Sequence, residues 1–359
     1  MFLHNPFTGA FGLNIGDSSI KLIQLSKKAG LKNAAYYDVE NIREVKLPVG
    51  CVAKGEIQQQ DLVIQNIKAL LNKTKKEKAI KVPYVVGSLP VTKSFLKLIE
   101  IESTASQLTK EMVSFEMNKH LPMDIKDVYF DWQIVEPQKN SPVNKILVGA
   151  VPKNIVDSYS DTLTKAGLYP LALEMEDLSI ARAMITFNKS YHGEARAILD
   201  LGSSRSSIII YDKGSVQFSS LISICGDVVD TALIQNLKTE RKIAEELKKR
   251  NGITYDPDNP TYLKTIDDLI DKLAEEIKHV LSFYKNHYEK ANPVTHITLS
   301  GGLSATKNLD KVLSKKIGVD TYPGNAWKNL LNKNLKSEER FNGLPLASAI
   351  GLALRASNW

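Results

Sequence analysis

A strand–turn–strand pattern that occurs twice in this chain limits its possible folds more than any other feature. The segments LNIGDSSIKLI (13–23) and LDLGSSRSSII (199–209) align without gaps. In each copy an apolar strand contains Asn or Asp, ends at a glycine and a small polar turn, and is followed by a second strand. The repeat predicts two related halves, each of which begins with one copy.

The residues of both turns suit a phosphate group. Glycine lets the backbone approach a ligand closely, and Ser18, Ser19, Ser203 and Ser204 add hydroxyl donors to the N–H groups of the turns. Lys21 adds a positive charge. Each turn leads into a strand and GxxxxGK[ST] is absent, so neither copy is a Rossmann fingerprint or a Walker loop. One copy alone is equally an ordinary Gly-Ser turn, but two matched copies favour phosphate binding.

Two later patterns are candidates for the rest of a nucleotide site. The strand of ITLSGGLSAT (297–306) runs into Gly301 and Gly302, where the backbone can approach a flat or anionic ligand. A plain strand-to-helix connection has the same pattern. Glu245 and Lys248 have the spacing of one helix face, where they could hydrogen-bond a ribose, although a surface ion pair has the same spacing.

Composition and charge exclude several classes of protein. The chain has 359 residues, 43% hydrophobic and 24% charged, which is typical of a globular protein with two domains. Its 2 cysteines are too few for a disulfide framework. The net charge of +7 comes from lysines spread over loops and helix surfaces without interleaved aromatic residues, so we expect no nucleic-acid partner. No secretory signal and no run of about 18 apolar residues is visible, which predicts a cytoplasmic protein.

The order of predicted elements includes a compact α+β insertion at 90–152. Its helix is expected to begin at a capping box formed by Thr104 and Gln107. The polar segment SYHGEAR (190–196) is the predicted boundary between the halves. Further helices are predicted at 61–72, 153–167, 238–250 and 265–290.

The order of these motifs resembles the actin-like ATPase superfamily, which includes actin, the heat-shock chaperone ATPases, sugar kinases and the division protein FtsA. Three segments narrow the resemblance. SFEMNKHLPMDIKDVYFDWQIVE (114–136), LPLASAIGLALR (344–355) and GLNIGDSSIKLIQL (12–25) are similar to the PilM family, the actin-like cytoplasmic proteins of type IV pilus assembly. The similarity extends from Gly12 to Arg355.

This resemblance implies an α/β fold of two lobes, the actin-like ATPase fold, with a small inserted α+β subdomain of the 1C type. We expect the first lobe (subdomain 1A) at 1–89 and 153–194, and the inserted subdomain at 90–152. The second lobe is expected at 195–359, with its own insertion near 236–292.

The resemblance also implies that ATP or ADP binds with Mg²⁺ in the cleft between the lobes. Asp200 is expected to hold the Mg²⁺ through water. Glu245 and Lys248 would face the ribose, and the adenosine would meet Gly301, Gly302 and Leu303. The remaining implied nucleotide-binding residues are Asn14, Gly16, Asp17, Ser18, Ser19 and Lys21 of the first copy, Asp200, Gly202, Ser203 and Ser204 of the second, and Gly226.

One residue departs from the superfamily pattern. The position of Asn14 usually holds Asp, and an amide carries no charge with which to hold Mg²⁺. Asp200 remains as the main metal carboxylate. We therefore expect ATP binding with weak or absent hydrolysis, and whether the chain is an enzyme stays open.

The implied partner is the cytoplasmic N-terminal tail of PilN, an inner-membrane protein, which binds a groove between the insertion and the first lobe. The assembly motor ATPase and the platform protein are further expected partners. The chain would lie at the inner face of the membrane through its partner alone and serve twitching motility or a related type II secretion-like system. Two alternatives on the same fold are a small-molecule kinase, which needs a carboxylate base beyond Asp200, and an FtsA-like filament-forming membrane tether.

Overall fold

The computed structural model describes residues 7–29, 35–72, 78–103, 107–135, 143–187, 189–254, 259–288, 290–330 and 343–358, and every structural statement below concerns these residues. The strands are β1 (Phe11–Ile15), β2 (Ser19–Ala29), β3 (Ala35–Lys46), β4 (Val52–Ala53), β5 (Glu56–Ile57), β6 (Tyr84–Leu89), β7 (Phe95–Glu102), β8 (Val128–Val135), β9 (Val143–Pro152), β10 (Tyr169–Met175), β11 (Ala195–Leu201), β12 (Ser206–Asp212), β13 (Ser215–Ile222), β14 (Val294–Ser300) and β15 (Asp320–Pro323). The α-helices are α1 (Gln60–Leu71), α2 (Lys110–Asn118), α3 (Lys153–Lys165), α4 (Glu176–Met184), α5 (Gly226–Leu237), α6 (Arg241–Asn251), α7 (Pro260–His287), α8 (Leu309–Ile317) and α9 (Ala347–Ala356).

Two large sheets repeat the same local topology. The first has the strand order β10-β6-β1-β2-β3, and the second has the order β15-β14-β11-β12-β13-β7-β9-β8. In the first sheet β1 is antiparallel to β2 and parallel to β6. In the second, β11 is antiparallel to β12 and parallel to β14. The sequence repeat is therefore also a repeat of strand pairing, as predicted.

Each large sheet has its own apolar core because its strands are buried against helices. The first core joins β1 and β2 to α1, α3, α4 and α9. The second joins β11 and β12 to α5, α7 and α8. The apolar stripe of α7 faces this second core, where Ile266, Leu273 and Ile277 are buried. The periodicity of the stripe predicts this placement, since apolar residues at helical spacing form one face.

The inserted subdomain has a third, small core and an unexpected connection. Its strands β7, β8 and β9 pack against α2 through Ile99, Val113, Met117 and Ile146. The chain enters it from β6 and returns through α3, both of which belong to the first lobe. However, β7 pairs with β13 of the second sheet, with Phe218 opposite Lys97. The strands of the insertion thus extend the sheet of the second lobe.

The last helix packs on the first lobe. α9 is buried against β1 and α4, and its residues belong to the first core. The approach is close: a Cβ on Gly12 would lie 2.5 Å from the Ala349 carbonyl oxygen, and one on Gly351 would lie 2.5 Å from the Ser179 carbonyl carbon. This helix therefore packs with the first lobe, although the predicted boundary assigns 195–359 to the second.

The helix bounds differ from the predictions at specific ends. α2 begins at Lys110, and Thr109 is its N-cap, with Oγ1 accepting a hydrogen bond of 3.3 Å from Met112 N. The capping box expected at Thr104 and Gln107 is therefore wrong as a helix start, and Thr104 itself lies outside the described residues. α7 begins at Pro260, because proline fits the first turn of a helix.

Within the described residues, no helix is long and apolar enough to cross a membrane.

Candidate functional site

The two repeated turns have the same internal geometry and face each other. In the first, Gly16 N donates to Ser19 O at 3.0 Å, and in the second Gly202 N donates to Arg205 O at 3.0 Å. The Oγ atoms of Ser18 and Ser203 lie 2.8 Å apart, within hydrogen-bond distance. The two copies therefore meet at their turns, one from each lobe.

A cavity of about 160 Å³ lies between these turns. The start of α4 and residues 344–348 close it, and Glu176 and Arg205 lie in its wall. The predicted residues that it brings together are Asn14, Gly16, Asp17, Ser18, Ser19, Lys21, Asp200, Gly202, Ser203, Ser204, Gly301 and Gly302. Segments far apart in the sequence thus converge on one cavity.

Four predicted residues lie outside this cavity. Gly226 lies behind the second turn, where its N–H donates to Gly202 O at 3.0 Å. Lys248 Nζ forms an ion pair with the Asp230 carboxylate on α5. Lys248 and Leu303 line a separate, largely apolar cavity, and Glu245 is half-buried on α6. Their contacts with a nucleotide stay predictions.

Glycine is required at one position of the Gly-Gly turn. Gly301 has φ +83°, and a Cβ there would lie 2.6 Å from the carbonyl carbon of Leu201. A Cβ on Gly302 would meet nothing within 4 Å. Gly301 therefore lets the end of β14 approach the end of β11, while Gly302 leaves open space at the cavity wall.

Asn14 is the centre of a buried hydrogen-bond cluster. Its Nδ2 lies 2.9 Å from Glu176 Oε1, 3.0 Å from Ser88 Oγ and 3.2 Å from Ser348 Oγ. A carboxylate at position 14 could not donate to Glu176, so the amide and the glutamate fit each other. The sequence reasoning missed Glu176, although an acidic residue directly after an apolar strand and at a helix start was a usable signal.

A second missed residue, Arg205, joins the two lobes. Its Nη1 lies 2.7 Å from Asp17 Oδ1 and its Nη2 lies 3.1 Å from Glu176 Oε2. Only 10% of the side chain is exposed. The available signal was in the repeat, because the second copy has Arg205 where the first has Ser19.

Two carboxyl groups at or next to the cavity have raised pKa values. Burial raises the pKa of Asp200 to about 6, and the nearby charge of Glu176 adds to this increase. Burial also raises the pKa of Asp177 to about 7, although Asp177 accepts a hydrogen bond of 2.8 Å from Ser207 Oγ. Protonation below about pH 6 would therefore weaken the predicted role of Asp200 in holding Mg²⁺, unless a bound cation favours its charged form.

The charges and size of the cavity decide how a nucleotide could fit. Its lining includes the carboxylates of Asp17, Glu44, Glu176 and Asp200 and the cations of Lys21 and Arg205. Two negative charges are therefore in excess, and a polyphosphate needs Mg²⁺ beside it. The turns supply backbone N–H and hydroxyl donors. Ligand pockets usually measure about 300–1,000 Å³, so the lobes must separate to admit a whole nucleotide.

A second, larger cavity separates the insertion from the first lobe. This groove, which we call the insertion groove, has a volume of about 540 Å³. β8 and β9 form one wall, and β10, α4 and α9 form the other. β8 and β10 are the terminal strands of their sheets. On the floor, Arg182 binds Glu174 with both of its Nη atoms, at 2.6 Å and 2.5 Å.

Comparison with known proteins agrees with this architecture. Residues 12–357 match the family model described as type IV pilus assembly protein PilM. Cell division protein FtsA of Streptococcus pneumoniae is 21% identical in an alignment 349 residues long, which covers 86% of this chain and 73% of FtsA.

Two solved structures share the fold. A chain of a PilM–PilN type IV pilus biogenesis complex superposes with a TM-score of 0.81 at 22% identity, covering 98% of this chain and 99% of that one. MreB5 of Spiroplasma citri bound to AMPPNP has a TM-score of 0.54 at 13% identity, covering 95% and 94%. The predicted actin-like fold is confirmed.

Proposed function

Because the chain belongs to the PilM family of type IV pilus assembly proteins, we propose that it is an ATP-binding adaptor that receives the N-terminal tail of a PilN-like inner-membrane protein. The observation that carries this proposal is the insertion groove, which lies beside the cleft between the two turns and shares helix α4 with it. The matched PilM–PilN complex supports the identity of the partner. The family match favours this role over the kinase and the filament-forming tether.

The insertion groove suits an extended peptide. Leu147, Met175 and Leu178 give it an apolar lining, and Tyr129 and Trp132 supply aromatic surface. Its walls include two terminal strands, β8 and β10, whose free edges can pair with an added strand. Main-chain pairing would provide affinity, and the apolar lining would select alternate side chains of the peptide.

The cleft between the two turns is the proposed ATP or ADP site. Bound Mg²⁺ would neutralise phosphate charge beside the excess of carboxylates. The described residues contain no group of three or more His, Cys, Asp or Glu side chains placed to hold a metal ion, so Asp200 would act through water and with the phosphates. With Asn14 in place of a carboxylate, we expect weak or absent hydrolysis.

Helix α4 couples the two sites in this proposal. Glu176 and Ile180 line the cleft, whereas Leu178 and Arg182 line the insertion groove. In addition, β7 of the insertion pairs with β13 of the second lobe. Separation of the lobes by a nucleotide would therefore move both walls of the groove. By linkage, the peptide would change nucleotide affinity by the same factor.

The experiment is a titration of a PilN-like tail peptide into the protein, with and without Mg-ATP. Trp132 lines the groove, so its fluorescence reports binding. We expect Tyr129→Ala to weaken peptide binding by roughly tenfold, as loss of an aromatic contact does. Phe115→Ala is the matched control, because Phe115 is 71% exposed on the same subdomain and outside the groove. Equal losses in both variants would refute the groove, and equal affinities with and without Mg-ATP would refute the coupling.

Location and further partners follow from the adaptor role. A chain that binds the tail of an inner-membrane protein would lie at the cytoplasmic face of that membrane. Its surface opposite the tail would then be available to the assembly motor and the platform protein. Co-purification from membranes with and without the PilN-like protein tests this location.

A further inference from the structure

We propose that Arg205 senses the phosphates of the nucleotide. It joins the two lobes by pairing with Asp17 and Glu176, and it transfers to the phosphates when a nucleotide enters the cleft. This inference rests on the proposed nucleotide site. It assigns the role to a residue whose counterpart in the first copy of the repeat is the uncharged Ser19.

The first observation that supports the proposal is the position of Arg205 between the two lobes. It is the last residue of the second turn, directly before β12, yet its guanidinium group contacts two elements of the first lobe. Nη1 binds Asp17 in the first turn at 2.7 Å, and Nε binds Glu176 at the start of α4 at 3.2 Å. One side chain thus spans the cleft at the level of both turns.

The two carboxylates keep other partners if Arg205 leaves. Asp17 also accepts hydrogen bonds from Lys54 N at 2.9 Å and Gly55 N at 3.1 Å. Glu176 also accepts one from Asn14 at 2.9 Å. Removing a partner costs much free energy when it leaves a buried charge without any hydrogen bond. These remaining hydrogen bonds therefore lower the free-energy cost of separating Arg205 from the two carboxylates. Without them, Arg205 would stay paired.

Of the two cations described in the cleft lining, Arg205 is better suited than Lys21 to bind phosphate. Among the described residues that line the cleft, Arg205 and Lys21 carry positive charge. Lys21 Nζ donates to the Pro345 carbonyl oxygen at 2.9 Å, so it is already held against the C-terminal segment. A guanidinium group binds phosphate with two parallel hydrogen bonds and keeps its charge at every physiological pH. Arg205 is therefore the better phosphate ligand of the two.

The size of the cleft makes the exchange necessary. A nucleotide cannot enter a cavity of about 160 Å³ without separating the turns, which breaks the contact between Ser18 and Ser203. The same movement withdraws Arg205 from Asp17. The phosphates would then occupy the space between the turns, where the guanidinium group, freed from Asp17, can bind them. The same separation of the turns thus admits the nucleotide and releases Arg205 to bind its phosphates.

The test compares ATP affinity by calorimetry in the presence of Mg²⁺. We expect Arg205→Gln to weaken ATP binding by on the order of tenfold or more, the usual loss for charge-assisted hydrogen bonds. Arg205→Lys should lose less. Asp17→Asn should instead strengthen ATP binding, because it releases Arg205 from its partner across the cleft. Arg241→Gln is the matched control, since Arg241 pairs with Asp227 on an exposed surface of the second lobe.

A purely structural ion pair predicts a different pattern. In that case Arg205→Gln and Asp17→Asn would change ATP affinity in the same direction, and this result would overturn the inference.

Hydrogen exchange gives a second measurement that needs no catalysis. Without nucleotide, both variants should expose the amides of both turns, and ATP should restore protection in Asp17→Asn but less in Arg205→Gln. A wild-type protein that binds no Mg-ATP would refute the proposed function itself, whereas normal ATP binding by Arg205→Gln would refute this inference alone.

Discussion

Replacing Asn14 with Asp tests the charge arrangement of the cleft by changing a single side-chain group. The variant restores the residue that the superfamily usually has at this position. It is nearly isosteric, so packing around the buried side chain, which is 5% exposed, should not change. The change replaces the Asn14 amide nitrogen, which donates to Glu176 Oε1 at 2.9 Å, with an oxygen of a second carboxylate. The result should therefore report electrostatics and hydrogen bonding alone.

The expected loss of stability follows from that distance. Two unit charges about 2.9 Å apart repel by roughly 6 kcal/mol at an effective dielectric constant of about 20. The pair can relieve this repulsion by binding a proton, which limits the loss at pH 8 to about 5 kcal/mol. Hydroxyl groups of Ser88 and Ser348 can turn to donate to the new carboxylate and return about 1 kcal/mol each. We expect Asn14→Asp to lower the free energy of unfolding by about 3 kcal/mol at pH 8.

The pH dependence has a definite sign. Repulsion raises the folded-state pKa of the pair above its unfolded values near 4. The folded variant therefore holds more protons than the unfolded chain between about pH 4 and pH 8, and its stability falls as the pH rises through this window. At pH 5 the difference from wild type should shrink to about 1 kcal/mol. Added Mg²⁺ should also reduce the difference at pH 8, because two facing carboxylates hold the ion better than one.

The assay is urea unfolding at pH 5 and pH 8, with and without Mg²⁺, for wild type, Asn14→Asp and Asn286→Asp. Asn286 is an exposed residue of α7 and controls for the general effect of adding one negative charge. An Asn14→Asp variant as stable as wild type at pH 8 without Mg²⁺ would refute the proposed pairing of Asn14 with Glu176. An equal loss at both pH values would refute the electrostatic explanation.

Two further predictions concern residues of the first lobe, Asp177 on α4 and Gly12 on β1. Burial raises the pKa of Asp177 to about 7, so wild-type stability should fall as the pH rises from about 4 to about 7. Asp177→Asn should flatten this part of the profile by on the order of 4 kcal/mol, measured as urea midpoints against pH, and an unchanged slope would contradict the raised pKa. A Cβ on Gly12 would lie 2.5 Å from Ala349 O, so Gly12→Ala should destabilise the protein by about 3 kcal/mol or more and expose α9 to limited proteolysis; a variant with wild-type melting temperature would show that α9 can move away from β1 at little cost.

Patterns within single segments predicted most of the fold. The aligned repeat predicts two related hairpins because strand, turn and strand are local features, and the structure confirms their matched pairing. The apolar stripe of α7 predicts a buried face for the same reason. These features depend on periodicity that one segment carries alone.

The missed features depend on contacts between distant segments. Nothing near Lys97 indicates that β7 pairs with β13, because that pairing satisfies backbone groups and requires no particular side chain. Glu176 and Arg205 belong to different lobes, and their meeting at 3.1 Å follows from how the lobes approach each other. Lys248 likewise finds Asp230 on another helix. Sequence spacing places a residue on a helix face but does not identify the residue opposite.

The contacts of Asn14, Glu176 and Arg205 explain why the chain can have Asn14 where the superfamily usually has Asp. If this difference only removed a carboxylate, the cleft would gain no contact in its place. Instead the amide donates to Glu176, and Glu176 in turn binds Arg205 from the second lobe. In the proposed exchange Glu176 gives up Arg205 when a nucleotide enters but keeps the hydrogen bond from Asn14, so one of its carboxylate oxygens stays occupied. This arrangement fits the proposed adaptor, which would hold and release a nucleotide with weak or absent hydrolysis.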